Sequence, residues 1–296
     1  MEIDLNILGS ILQPLTLKEV SAPDLSFYVK RDDLIHPFMS GNKWRKLKYV
    51  LADAREKEAE TLVTFGGAYS NHLLAVACAG ATFGFKTAGF VRGQELDIKN
   101  PVLKMCHLFG MRLIFISREQ YRDKEQLMQK YYGNTSGAYY IPEGGSSALA
   151  LQGVAELLDE LPFEPDHIIT AAGTGGTMAG LAYGVQGKGW KTEVHGIAVI
   201  KGAAYLNEEI ERWSGQKLHY HLHETLHRGG YGKSDNELVV FARNMARNTG
   251  MVIEPVYTAK MMMGTIQLAN EGHFTPGSKI VCMHTGGVWA GVGLLF

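Results

Sequence analysis

Ala171-Ala-Gly-Thr-Gly-Gly-Thr177 is a stretch suited to holding a phosphate dianion. Its glycines let successive backbone N–H groups point into one concavity. A following helix adds partial positive charge at its N-terminus, and Thr174 and Thr177 bring hydroxyl donors. No lysine follows the last glycine, as a Walker loop requires, and Met178 stands where a dinucleotide fingerprint needs glycine. Taken alone, the stretch also fits a tight strand-to-helix turn with no ligand, or a non-catalytic nucleotide-binding module. Lys43 offers a second chemistry. It follows Gly41 and Asn42 at the expected start of a helix, with Arg45 and Lys46 close by. A lysine that attacks an aldehyde must be partly neutral, and a helix N-terminus, nearby cations and desolvation all lower an amine's pKa. By itself, however, such a lysine reads first as part of a solvated basic face.

These residues need elements to position them. Thr61-Leu-Val-Thr-Phe65 is an apolar run that ends at Gly66-Gly67, and residues 71–80 follow with helical composition. Residues 86–91 and 112–116 read as strands flanking a helix over 102–110. Residues 167–172 form a strand running into Gly173, with a helix from about Thr177. Residues 193–200 and 279–284 complete the strands, and the polar stretch 126–137 fits a loop or an exposed helix. Strand, glycine loop, helix, strand predicts an α/β fold with a mainly parallel sheet, whose ligands sit beyond the carboxyl ends of the strands.

The chain has 296 residues, enough for two lobes. A net charge of −1 argues against nucleic acid or an acidic membrane as the main partner. Cys78, Cys106 and Cys282 are odd in number and far apart, so neither a disulfide framework nor a structural zinc site is expected, and a reducing compartment is. No run reaches the ~18 apolar residues of a membrane span. Residues 1–13 lack the pattern of a signal peptide, so a cytoplasmic location is expected.

Seven segments, in order, carry a resemblance that covers nearly the whole chain. They are Ser40-Gly-Asn-Lys-Trp-Arg-Lys-Leu-Lys48, Gly66-Gly-Ala-Tyr-Ser-Asn-His72, Ile141-Pro-Glu-Gly-Gly-Ser146, Gly173 to Thr177, Gly230-Tyr-Gly232, Glu254-Pro-Val-Tyr-Thr258 and His284-Thr-Gly-Gly287. The set resembles the fold-type II enzymes that use pyridoxal 5′-phosphate (PLP), in particular the 1-aminocyclopropane-1-carboxylate (ACC) deaminase and D-cysteine desulfhydrase family. The resemblance implies a two-domain, tryptophan synthase β-like α/β fold with mainly parallel twisted sheets and flanking helices. Residues 1–45 and 153–296 would form the large PLP-binding domain, with 46–152 as a small inserted domain. A homodimer is implied as well.

The resemblance also implies roles. Lys43 would hold PLP as an imine. Asn71 would bond the ring 3′-oxygen, and Thr285 would contact the pyridine nitrogen. Gly173, Thr174, Gly175, Gly176 and Thr177 would hold the phosphate, with Lys46. Ser70, Asn71 and His72, opening a helix, would bind the carboxylate of a small amino-acid substrate. Tyr231 and Tyr257 would be the two active-site tyrosines, with Tyr257 near the ring. PLP would serve as an electron sink for charge at the substrate α-carbon. Lys43 would be the proton base, with Ser70 or a tyrosine as the alternative. Elimination of a β-substituent would release a 2-oxo acid, ammonia and sulfide or water.

ACC deaminases carry Tyr-Glu where Tyr257-Thr258 stand and Leu where Thr285 stands, so this sequence resembles the desulfhydrases and D-cysteine is the first expected substrate. ACC deamination, amino-acid racemisation and PLP binding with little turnover are the alternatives. The sequence departs from the family at Tyr69, where glutamine is common, at Leu73 and Leu74, where arginine is common, and at Glu143. His219, His221 and His223 alternate but read as solvated histidines, and no metal is expected. Met261-Met-Met263 reads as core and Asp32-Asp33 as structural. Trp44 and Trp289 fit either cavity wall or ordinary packing.

Overall fold

A computed structural model describes residues 10–22, 24–39, 41–93, 100–292 and 295. Ser40, which opens the lysine segment, and residues 1–9 of the N-terminal stretch lie outside these. In chain order the main elements are β1 (Leu12–Leu15), β2 (Ser26–Lys30), α1 (Asn42–Glu56), β3 (Thr61–Gly67), α2 (Asn71–Phe83), β4 (Lys86–Arg92) and α3 (Pro101–Leu108). Then come β5 (Arg112–Ile116), α4 (Lys124–Tyr132), β6 (Ala138–Tyr140), α5 (Ala148–Ala155), β7 (His167–Ala172), α6 (Gly176–Lys188) and β8 (Glu193–Ala198). The chain continues with α7 (Leu206–Ser214), β9 (His221–His223), α8 (Asn236–Thr249), α9 (Thr258–Asn270), β10 (Lys279–Met283) and α10 (Val288–Val292).

The fold is α/β, as expected. A six-stranded sheet runs β1-β2-β10-β7-β8-β9 and a four-stranded sheet runs β5-β4-β3-β6. Among the described residues all pairs are parallel except β1 with β2. Helices cover both faces of each sheet, which is why the central strands read as unbroken apolar runs rather than as alternation. All six residues of β7 are buried. The polar stretch 126–137 is largely α4, with only Leu127 fully buried. Met261 and Met262 are core residues of α9.

Helix α5 packs against α1 closely enough that a Cβ at Gly153 would lie 1.9 Å from the Arg45 carbonyl oxygen. Beneath that contact runs an ion network that joins the buried Lys30, Asp32 and Arg45 to the more exposed Glu160. Arg45 grips both Asp32 oxygens at 2.7 and 2.8 Å and both Glu160 oxygens at 2.7 and 2.9 Å, and Lys30 adds a 2.6 Å bond to Glu160. Asp32 is therefore a structural carboxylate, and its neighbour Asp33 pairs with Arg31. Trp44 stacks on Phe83 in the core and Trp289 on Phe38. Neither lines the cavity described below. Among the described residues no helix is long and apolar enough to cross a membrane.

Candidate active site

A cavity of about 330 Å³ lies between the two sheets, within the roughly 300–1,000 Å³ typical of small-ligand pockets. Lys43, Lys46, Ser70, Asn71, His72, Gly173, Thr174, Gly175, Gly176, Thr177, Tyr231, Tyr257 and Thr285 all line it. The structure thus brings together every residue that the sequence singled out for catalysis, cofactor or substrate.

Several chain segments build the walls. The carboxyl end of β7 delivers the glycine loop, and α6 starts on Gly175 with φ 77° and no side-chain cap. The first-turn N–H groups of α6 are left for a ligand, because a helix cannot satisfy them itself. Helix α1 starts the same way, on Gly41, and presents Asn42 and Lys43. Lys43 Nζ donates to Asn42 Oδ1 at 2.7 Å, and Asn42 Nδ2 donates to Thr177 Oγ1 at 2.7 Å. Two hydrogen bonds therefore tie the amine to the glycine loop. Lys46, buried, places Nζ 3.2 Å from both the Gly144 carbonyl and Ser146 Oγ, and Ser146 Oγ lies 2.8 Å from Thr174 Oγ1.

Helix α2 forms the facing wall. Ser70 caps it, accepting from the Leu73 N–H at 3.2 Å, while its own N–H is donated to the Gly67 carbonyl at 3.0 Å. The Ser70 N–H is thus already engaged, and the anion-binding donors of this turn reduce to Asn71, His72 and the Ser70 hydroxyl. The Thr64 hydroxyl donates to the Ile141 carbonyl at 2.8 Å, so it must accept from His72 Nε2, also at 2.8 Å. Burial, and then the charges of Lys43 and Lys46, hold the His72 pKa well below the ordinary value, so His72 is a neutral anchor of its helix. Leu73 and Leu74 point into the core, so no arginine follows His72 here.

Burial lowers the Lys43 pKa to about 8, opposed by the Glu254 charge. At pH 7.5 that raises the neutral amine from about 0.1% to about a quarter of the population, roughly two hundredfold. In cofactor-free protein, reductive methylation of Lys43 should therefore rise through a midpoint near pH 8, read by peptide mass spectrometry. A midpoint above 10, shared with surface lysines, would contradict this. Burial also pushes the Lys46 amine well below its usual value, with Lys43 adding repulsion. Its hydrogen bonds go to neutral oxygens, so a phosphate on the glycine loop would supply the missing counter-charge.

Sequence reasoning missed Glu254, buried in the cavity wall. Its carboxylate accepts from the N–H groups of Val256 at 2.7 Å, Tyr257 at 2.9 Å and Thr258 at 2.7 Å. It locks the turn that carries Tyr257. Thr258 is buried against Glu254 and does not line the cavity. Arg92, Glu143 and Tyr205 also line the cavity, and Glu143 is paired with Lys124 at 3.0 Å. Tyr257 and the exposed Tyr231 meet edge to face, ring centroids 6.0 Å apart.

These residues fit PLP. The cradle tolerates no side chain, since a Cβ at Gly176 would lie 2.3 Å from Ser146 Oγ and one at Gly173 2.8 Å from the Tyr257 ring. An amine with a depressed pKa stands two hydrogen bonds from an uncapped helix start. Comparison with known proteins agrees. The family described as pyridoxal-phosphate dependent enzyme matches residues 11–286. A Thermotoga maritima protein provisionally assigned as an ACC deaminase is 34% identical over 98% of this chain and 97% of its own length. The mitochondrial bifunctional D-cysteine desulfhydrase/ACC deaminase of Arabidopsis thaliana is 29% identical over 88% of this chain and 72% of its own. The crystal structure of an ACC deaminase homologue matches with a TM-score of 0.83 at 28% identity, covering 98% of this chain and 93% of that one. The chain belongs to the pyridoxal-phosphate-dependent enzyme family.

Proposed function

We propose that the chain catalyses β-elimination from a small amino acid, D-cysteine first, releasing a 2-oxo acid, ammonia and sulfide. The observation that carries this reading is the chain of two hydrogen bonds from Lys43 Nζ through Asn42 to Thr177. It sets a partly neutral amine beside a phosphate cradle. Bound PLP supplies an electron sink for charge developing at the substrate α-carbon.

The chain's own groups do the rest. Gly173 to Thr177 and Lys46 would hold the phosphate, and Asn71 would hold the ring 3′-oxygen. Thr285 would offer the ring nitrogen a hydroxyl rather than a carboxylate, which would leave that nitrogen nearer neutral. The N–H groups of Asn71 and His72 and the Ser70 hydroxyl bind the substrate carboxylate at the positive end of α2. Lys43 Nζ would take the α-proton, with Ser70 as the alternative. Tyr257 orients the substrate, and Tyr231 covers the mouth and keeps water out.

Thr285 favours desulfhydrase chemistry over ACC ring opening by the family pattern. Tag-free holoenzyme should release pyruvate from D-cysteine with kcat/KM at least about tenfold above its release of 2-oxobutyrate from ACC, an increment of one good hydrogen bond at the transition state. Release of 2-oxobutyrate from ACC without pyruvate from D-cysteine would select the deaminase reading. Enantiomer exchange without ammonia would select a racemase.

The same reading takes residues 1–45 with 153–296 as the large lobe and 46–152 as the small one, in keeping with the two sheets. It takes the assembly as a homodimer. It places the protein in the cytoplasm, in keeping with three buried free thiols.

A further inference from the structure

Away from the cavity, the amino ends of β7, β8 and β9 gather an unusual set of rings. His167 and Glu193 are direct cross-strand partners, as are His195 and His221. His223 follows on the same face of β9, and His273 arrives after α9. His195 is fully buried among them, stacked on His221 at 4.9 Å and on His223 at 5.3 Å. Phe274 closes the inner side, 4.8 Å from the His167 ring and 5.8 Å from that of His195.

We propose that this corner is a divalent transition-metal site, suited to Zn2+, with His167 Nδ1, Glu193 Oε2 and His195 Nε2 as ligands and His221 Nε2 or water in the fourth position.

The separations carry the assignment. His167 Nδ1 lies 3.1 Å from His195 Nε2 and 3.3 Å from Glu193 Oε2, and His195 Nε2 lies 3.6 Å from Glu193 Oε2. Tetrahedral Zn2+ with bonds of about 2.0–2.1 Å sets its donor atoms about 3.3 Å apart, so one ion fits within the triangle with small side-chain shifts. His221 Nε2 stands 3.9 Å from Glu193 Oε2, at the edge of the same triangle. Imidazole nitrogens with one carboxylate form a donor set that zinc and its neighbours prefer over magnesium or calcium.

The second ring nitrogen of His195 supports this further. His195 Nδ1 lies 3.1 Å from His223 Nε2. An Nδ1–H donated there leaves the Nε2 lone pair facing the triangle, as the outer partner of a ligating histidine does. With that tautomer and no metal, His167 Nδ1–H would donate to His195 Nε2, 3.1 Å away. Binding needs only that this proton move to His167 Nε2 through water. Glu193 and His221 are each about half exposed, which gives the ion an entry path.

A second triad, His195, His223 and His273, also converges. It lacks a carboxylate and uses the nitrogen already turned to His223, so the Glu193 set is the one assigned. The ion would clamp the three-residue edge strand β9 to the sheet. It sits at the opposite end of β7 from the glycine loop, roughly 16 Å away at 3.3 Å per residue. It is therefore independent of the chemistry in the cavity.

The test uses tag-free holoenzyme, stripped with chelator while its cofactor stays bound, and titrated with zinc chloride by calorimetry. One Zn2+ should bind per chain, raise the melting temperature and leave the cofactor absorbance unchanged. Co2+ should give the intense visible bands of a tetrahedral site. Glu193→Gln, at a half-exposed position, should keep the fold and the turnover but weaken Zn2+ binding about a hundredfold. His273→Ala should leave affinity within about threefold, a spread expected of a group outside the ligand set. No saturable Zn2+ binding by the wild type, equal binding by Glu193→Gln, or a loss in His273→Ala as large as that in Glu193→Gln would each overturn the assignment.

Discussion

Lys43→Ala will lower turnover by roughly 10³-fold or more, while the protein stays folded and still binds cofactor weakly. A positioned general base alone is worth about 10²–10⁴, and Lys43 is also the covalent anchor. The folded state depends little on this side chain, since among the described residues its hydrogen bond goes to the neighbouring Asn42. Lys43→Arg separates charge from chemistry. An arginine keeps the cation and the reach but stays protonated across the working pH range, so it should be about as inactive as alanine. Steady-state assays of both variants, with melting curves to verify folding, check this. Turnover by Lys43→Arg near the wild-type level would remove Lys43 from the chemistry.

Gly41→Ala is the second large effect, and it acts through the backbone. Gly41 has φ 64° and ψ −143°, in a region occupied almost only by glycine. A Cβ there would fall 1.8 Å from the Thr285 carbonyl oxygen and 2.7 Å from the Gly286 nitrogen. Those are backbone atoms with no freedom to yield. The start of α1 would have to move, taking Asn42 and Lys43 away from Thr177. The combined strain and clash should cost at least about 3 kcal/mol, a drop of roughly 6 °C or more in Tm, together with weakened cofactor binding. Gly84→Ala is the control. Gly84 ends α2 with φ 77°, but a Cβ there meets nothing within 4 Å. It should cost only the left-handed strain, about 1 kcal/mol or about 2 °C. Equal losses in the two variants would show that close approach at Gly41 contributes nothing.

How much of this was legible depended on whether the signal is local. Residues 61–65, 112–116 and 167–172 read as strands because buried parallel strands are short apolar runs that end at glycine. Strand β1 gave no such signal. Among the described residues it is an edge strand paired only with β2, and it carries Pro14, which removes a ladder donor. Strand β9 is three residues, His-Leu-His, and its rings gain meaning only from His195 across the ladder. The same holds in the cavity. Lys43 and the glycine loop stood out because each carries its chemistry in a few adjacent residues. Glu254 was hidden because a carboxylate beside a proline reads as solvated until its three N–H donors are in place. Arg92 and Tyr205 come to the cavity from distant segments, and spacing cannot reveal them, while Glu143 stood out only as a departure from the family pattern. Thr258 shows the converse: a residue that family pattern linked to the substrate is buried against Glu254, outside the cavity.

The central claim is a covalent link between Lys43 and the cofactor beside the glycine loop. Reducing the purified holoenzyme with borohydride, digesting it and mapping the peptides by mass tests that claim most directly. A phosphopyridoxyl group on the peptide that contains Lys43, absent from the Lys43→Ala protein, is the expected result. The same group on Lys46 or another lysine, or no retained group at all, would contradict it.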